Sequence, residues 1–257
     1  MDIRDYTQKY AAHYRGSGPG WFEATLVEIR RRQVVASLER HPHARVLEVG
    51  CGLEPLFTYW SGFQRMTVVE PSPDFVANAR AQAARRAVTN LDVDVEVIQG
   101  FLEDVAEQLT GAAPLDFVVA SSLLHEVADP ERLLRTLHAL AAPATVLHFN
   151  VPNVYSFHRL LALEMGLITD LFEQSETEKS FQRTTRFDRA KLEAMLVAAD
   201  FEVLRFGTYF VKPFTHAQME RLIDDKILPV GAVLGLERMS THLPDMGAEM
   251  YVEVRRR

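Results

Sequence analysis

Residues 45–55 read RVLEVGCGLEP. The first five form a short apolar run rich in β-branched side chains, and Gly50 and Gly52 follow at once. That pattern predicts a buried strand ending in a tight turn. Glycines after a strand let the backbone turn sharply and let a ligand approach closely. A dinucleotide site would continue as GxGxxG, whose third glycine lets a helix pack closely while its N-terminus faces a pyrophosphate. Pro55 stands at that third position. Glu48, two residues before Gly50, would repel a pyrophosphate and suits a ligand that carries an ammonium group.

Outward from this stretch the chain alternates. TVVE (67–70), VDVEVIQG (93–100), DFVVASS (116–122), TVLHFNV (145–151), FEVLRFGTYF (201–210) and GAEMYVEVR (247–255) read as six further strands. Ser72-Pro73 and Asp129-Pro130 each combine an N-cap residue with proline at the first helical position. Leu133, Leu134, Leu137 and Leu140 then share one helix face, as do Leu192, Met195, Leu196 and Ala199 behind a cap at Asp188. Strands alternating with helices predict an α/β fold: a seven-stranded, mostly parallel sheet with helices on both faces. The last strand is expected to fold back antiparallel beside the fifth. Residues 1–40, aromatic-rich and helical in pattern, read as an N-terminal cap, and 41–257 as the main domain.

Two stretches interrupt the alternation, 152–187 and 211–246. Ligands of open α/β sheets bind outside the carboxyl ends of the parallel strands. Both insertions leave from such ends, so they are read as helical lids over an acceptor pocket; a dimer interface or extra packing is the competing reading.

Composition narrows the function. The formal net charge of −7 argues against a general nucleic-acid binder. The runs Arg30-Arg31-Arg32 and Arg255-Arg256-Arg257 read as solvated faces. A single cysteine, Cys51, allows no intrachain disulfide and fits a reducing compartment. The first residues, MDIRDYTQKY, are too polar for a signal peptide, and no apolar run approaches the roughly 20 residues of a membrane helix. The expectation is a cytoplasmic protein without a membrane span.

Glu70 ends the second strand, where a carboxylate can accept both hydrogens of a ribose diol; that identifies a nucleoside without saying which. The ordered set LEVGCG, VVEPSP, VIQGFLED and DFVVASSLLHEV resembles the class I S-adenosylmethionine-dependent methyltransferases, whose fold is Rossmann-like. The likeness is close over residues 45–150, and the strand order extends it to the C-terminus. It implies S-adenosylmethionine as cofactor and S-adenosylhomocysteine as product. It implies that Gly50, Cys51 and Gly52 form the turn under the methionine part, with Glu48 near its ammonium group. Glu70 takes the ribose hydroxyls, with Pro71 behind it. Gly100, Phe101 and Leu102 border the adenine, and Ser121, Ser122 and Leu123 line the floor near the sulfonium. Many relatives carry an aspartate where this chain has Phe101, so the polar contact to adenine falls to Glu103 or to backbone groups. Cys51 is read as a small turn residue rather than a nucleophile, since no basic partner adjoins it.

Methyl transfer from a sulfonium is an in-line displacement, in which the enzyme aligns the acceptor and excludes water. A hydroxyl acceptor also needs a base. His125, just past the fourth strand, is the candidate base, because imidazole titrates near neutral pH; its competing role is to hold a loop. Glu126 would orient the ring or cap the turn. His148 and Asn150 alternate with apolar residues and read as satisfied buried groups. Asn153, Tyr155, His158 and Arg159 in NVPNVYSFHR, and Tyr209, Lys212 and His216 in YFVKPFTH, are candidate acceptor-binding residues. Lys212 and His216 would suit an anionic acceptor, while Thr215 suits an N-cap. Tyr6, Tyr10 and Tyr14 recur every four residues and could close over the sulfonium. No metal motif is present, and none is expected.

The leading expectation is therefore an enzyme that methylates a small molecule on oxygen; the pattern also resembles methyltransferases of bacterial surface polysaccharides and natural products. An NAD-dependent oxidoreductase and a non-catalytic S-adenosylmethionine-binding protein are the alternatives. A protein or nucleic-acid target lacks support from charge or from any recognised module. A homodimer is left open.

Overall fold

The apolar runs become strands β1 (Arg45–Val49), β2 (Arg65–Glu70), β3 (Asp94–Gln99), β4 (Phe117–Ser121), β5 (Val146–Pro152), β6 (Phe201–Tyr209) and β7 (Glu249–Arg256) in a computed structural model of the chain. The structure describes residues 20–89, 94–111, 113–174 and 185–257. The seven strands form one sheet in the order β3-β2-β1-β4-β5-β7-β6. β1 pairs in parallel with β2 and β4, β2 with β3, and β4 with β5. β7 runs antiparallel between β5 and β6, as expected beside the fifth strand.

Eight α-helices lie among the described residues: α1 (Trp21–Leu38), α2 (Pro73–Thr89), α3 (Leu102–Leu109), α4 (Pro130–Leu140), α5 (Phe157–Glu164), α6 (Arg189–Ala198), α7 (His216–Asp224) and α8 (Ala232–Arg238). Asp129 caps α4 by accepting the Arg132 amide at 2.8 Å, and Asp188 caps α6 by accepting that of Lys191 at 2.7 Å. Thr215 and Gln218 form a reciprocal capping box on α7. Ser72 departs from its expected role. Its hydroxyl makes no hydrogen bond, while its amide turns back to Glu70.

Three apolar clusters hold the molecule. One packs α3, α4 and α6 on one sheet face, through residues such as Leu134, Leu137, Leu192 and Phe149. A second lies under α1 and α2 around Phe57, Met66 and Phe117. The third joins α1 to the end of β6 and to α7 and α8, through Phe22, Phe210, Met219 and Val233. The insertions 152–187 and 211–246 start at the carboxyl ends of β5 and β6, and they are stitched together at their roots. Asn153 donates its side-chain amide to the carbonyls of Asp245 and Gly247, at 3.0 and 2.9 Å. Phe157 donates its backbone N–H to Met246 O at 3.0 Å. No helix among the described residues is long and apolar enough to cross a membrane.

The basic run on α1 is not a solvated face. Arg30 and Arg31 have side chains only 21% and 17% exposed, and they pair with Glu249 and with Glu28 and Glu54. Only Arg32, 55% exposed and paired with Glu237, behaves as a surface residue. The reason lies in β7. Its alternating residues Glu249, Tyr251 and Glu253 turn toward α1, so the helix must present cations and hydroxyls where an apolar stripe would otherwise sit. Ser37, Arg40 and His41 answer Glu253, and Arg30 answers Glu249.

Candidate cofactor and acceptor site

The chain leaves β1 through Gly50 and Gly52, with φ of 74° and 58°. These are left-handed values that cost other residues energy. A Cβ on Gly50 would lie 3.1 Å from Leu123 Cδ1, so this turn and the β4 loop touch. Glu48 points inward at 6% exposure, and both its oxygens accept the Leu56 amide, at 3.1 and 2.9 Å. Burial raises its carboxyl to about 8; the Leu56 amide opposes that rise and the nearby Glu70 adds to it. Glu70 is also buried. It accepts the Gly52 amide at 3.1 Å with one oxygen and the Ser72 amide at 2.9 Å with the other. Burial lifts its carboxyl above the usual range against those two bonds.

Beyond Pro55 the chain makes a single 3₁₀ turn, Leu56–Thr58, whose first amide is the one Glu48 holds. In a pyrophosphate site the amides of a helix N-terminus face the phosphate. Here an acidic side chain already occupies that place. Cys51, buried between the two carboxylates, has its thiol pushed far above the ordinary range by burial and by Glu48 and Glu70. It is therefore held as an uncharged thiol, as a turn residue would be.

Two more loops meet this turn. Gly100 donates its amide to Glu70 O at 3.1 Å, which sets Gly100, Phe101 and Leu102 beside the end of β2. Phe101 is 38% exposed and Leu102 is buried. At the end of β4, Ser121 pairs with Asn150, and Ser122 adopts a left-handed φ of 56°. The Ser122 amide is shared between the backbone and side-chain oxygens of Asn150, at 3.1 and 3.2 Å. His125 and Glu126 follow in a turn closed by Glu126 N–H to Leu123 O at 2.8 Å. Both are buried, and His125 Nε2 lies 3.1 Å from Glu126 Oε1. The residues expected to bind the cofactor thus come from the ends of four adjacent strands, β3, β2, β1 and β4, on the carboxyl edge of the sheet.

A buried polar cluster adjoins them. Glu249 accepts the Asn150 side-chain amide at 3.1 Å, Arg30 Nε at 2.9 Å, a second Arg30 nitrogen and the Tyr209 hydroxyl. Despite burial, Arg30 and these hydrogen bonds hold its carboxyl down at about 2, with His125 acting from farther off. Burial and the Glu249 charge push the Tyr209 hydroxyl far up. His216 pairs with Glu23. His148 is fully buried, with Nδ1 3.0 Å from Ser37 Oγ and its ring stacked on Tyr251; burial lowers it to about 4. It is buried as its strand position predicts but only half satisfied, because Nε2 has no hydrogen-bond partner among the described residues.

The expected acceptor residues divide. Asn153 and Arg159 are engaged with backbone, Asn153 as described and Arg159 on the carbonyls of Leu171 and Glu173. Tyr155 is exposed. His158, Tyr209, Lys212 and His216 border the Glu249 cluster. Tyr6, Tyr10 and Tyr14 lie outside the described residues. Glu249 and Glu23 were not singled out in sequence, and Arg30 was read as part of a solvated face. The available signal was the polar alternation of EMYVEV in what proves to be an internal strand.

Residues 19–205 match the family model described as a methyltransferase domain. The chain is 32% identical over 135 residues to the ubiquinone biosynthesis O-methyltransferase of Caulobacter sp. (strain K31). That alignment covers 48% of this chain and 49% of the relative, so the chain spans about half the length of the curated relative it matches. Among solved structures it is similar to a SAM-dependent methyltransferase of Thermotoga maritima, described as a possible histamine N-methyltransferase. The TM-score is 0.59 at 17% identity, over 99% of each chain. It is also similar to the magnesium protoporphyrin IX methyltransferase of Synechocystis PCC 6803 with bound SAH, with a TM-score of 0.58 at 15% identity over 99% and 98% of the two chains. At these identities the structural likeness is one of fold.

Proposed function

The chain belongs to the class I S-adenosylmethionine-dependent methyltransferase family, and we propose that it moves the methyl group of S-adenosylmethionine to a hydroxyl of a small molecule, a sugar or another natural product. The observation that carries the cofactor side is the pair of buried carboxylates on the glycine turn. Glu48 holds the amide that a pyrophosphate would need, and Glu70 stands at the end of β2 where a ribose diol can be received. That arrangement suits a nucleoside with a cationic tail and disfavours NAD.

The cofactor supplies a methyl group already activated on a sulfonium. The residues of this chain bind, orient and shield. Gly50 and Gly52 give the backbone its close approach, Glu70 orients the ribose, and Phe101 offers a ring face to the adenine. Ser122 and Leu123 form the floor, fixed to β5 through Asn150. His125, next to that floor and beside Glu126, takes the proton from the acceptor hydroxyl. The Glu126 carboxylate steadies the ring and the charge it gains. The insertions exclude water.

The test is transfer of an isotopically labelled methyl group from S-adenosylmethionine to a panel of hydroxylated small molecules. Wild type is expected to label a hydroxyl, and His125→Ala to lose a factor of about 10²–10⁴ in kcat while still binding S-adenosylhomocysteine. Labelling confined to amines, or an unchanged kcat in the variant, would overturn the assignment of acceptor atom and base.

A further inference from the structure

Around Glu249 nearly every charge has an answer. Arg30 is bonded to Glu249, and His216 to Glu23. Lys212, on the segment that leads from β6 to α7, is different. Its side chain is buried at 4% exposure, yet among the described residues no hydrogen bond or ion pair ends on its ammonium. Glu23 and Glu249 attract it from a distance, but each is already bonded to a nearer cation. A buried cation without a partner is a net cost to the fold and persists where something else requires it.

A second unanswered group stands near it. Nδ1 of His158, on α5, is buried and has no hydrogen-bond partner among the described residues. Burial, with the Lys212, Arg159 and His216 charges around it, lowers the ring to about 2, so it is a neutral imidazole that can donate from a ring nitrogen. The two groups come from different insertions, which the Asn153 bonds stitch together at the carboxyl edge of the sheet. A bonded path leads from the methyl floor to Tyr209, three residues before Lys212: Ser122 N–H to Asn150, Asn150 to Glu249, and Tyr209 to Glu249. His216 is paired with Glu23 and the Arg159 guanidinium is occupied by backbone carbonyls, so of these cations Lys212 is the one whose donors are left open among the described residues.

We propose that the acceptor carries an oxyanion, a carboxylate or a phosphate ester, seated on Lys212 with His158 as a neutral donor beside it. This rests on the methyltransferase reading and names the acceptor class for that site. Charge-assisted bonds from an ammonium are strong where water is excluded, so a single oxyanion fixes both the choice and the orientation of the acceptor.

The test uses the full chain loaded with S-adenosylhomocysteine. Thermal unfolding is followed in acetate and in inorganic phosphate, against chloride at matched ionic strength, for wild type, Lys212→Met and Lys212→Arg. Wild type and Lys212→Arg are expected to show a saturable rise in midpoint, and the anion giving the larger rise identifies the acceptor group. Lys212→Met is expected to need about tenfold more anion or not to respond, tenfold being about 1.4 kcal/mol. In chloride alone it should unfold at a higher temperature than wild type, because a buried charge without a partner has been removed. No anion response in wild type, an equal response in Lys212→Met, or a lower midpoint of Lys212→Met in chloride would each overturn the proposal. Calorimetry on the same samples reports S-adenosylhomocysteine binding. Its absence in wild type would overturn the methyltransferase reading, and its presence with no anion response would overturn the oxyanion alone.

Discussion

The two ends of the carboxyl edge solve the same problem differently. On the β1–β2 side, two buried carboxylates are held by backbone amides of the turns beside them: Glu48 by Leu56, and Glu70 by Gly52 and Ser72. On the β5–β7–β6 side, Glu249 is held by side chains from three other elements, Arg30 on α1, Asn150 on β5 and Tyr209 on β6. Backbone donors fix a shape that depends on where the chain turns. Side-chain donors fix a charge pattern that single substitutions can rewrite. A cofactor common to many enzymes suits the first arrangement, and an acceptor particular to this one suits the second.

The contrast is sharpest at Glu249. Glu249→Ala leaves the Arg30 guanidinium buried without its partner, a loss expected to cost about 3–5 kcal/mol. Denaturant unfolding should show it as a shifted midpoint with little change in slope. A loss below 1 kcal/mol would mean that water replaces the carboxylate and that the cluster is open.

Glu48 gives a smaller effect, visible through pH. Its folded value of about 8 lies above the ordinary carboxylate value of 4.5, so the native state binds its proton more tightly than the unfolded chain. Its contribution to stability is fully present below about pH 4.5 and is lost as pH rises through 8. Glu48→Gln cannot lose that proton. It should match wild type near pH 4 and exceed it at pH 8.5 by on the order of a few kcal/mol, at about 1.4 kcal/mol per unit. Parallel pH profiles of the two proteins would show that Glu48 is not desolvated as described. Smallest is Arg32→Ala, which breaks an ion pair whose arginine is more than half exposed. It should change stability by less than about 1 kcal/mol; a loss comparable to that of Glu249→Ala would erase the distinction between the buried and surface members of one basic run.

Legibility follows the same division. The strands were readable because each is a short apolar or alternating run bounded by turn residues. The caps at Asp129 and Asp188 were readable because the capping oxygen and the amide it accepts are three residues apart. The glycine turn and Glu48 were readable because they follow one another along the chain, and Glu70 because it ends the next strand. The Arg30–Glu249 pair was not, since its members are 219 residues apart and meet only because β7 inserts between β5 and β6. Without that topology Arg30-Arg31-Arg32 looks like a solvated face. Ser72 failed more locally, because Glu70 draws its amide back and the hydroxyl is left out of the cap. His216, grouped in sequence with Lys212 as an anion ligand, is instead bonded to Glu23 on α1, a partner no local pattern announces.

The most direct measurement is calorimetric titration of S-adenosylhomocysteine and of NAD into wild type, Glu70→Gln and Glu70→Ala, with unfolding midpoints as a check that each variant is folded. The account predicts binding of S-adenosylhomocysteine on the order of micromolar, weakened by about tenfold to a hundredfold in both variants as charge-assisted bonds to the ribose are lost, with no heat from NAD. NAD binding by wild type, or S-adenosylhomocysteine affinity indifferent to Glu70 in folded variants, would contradict it.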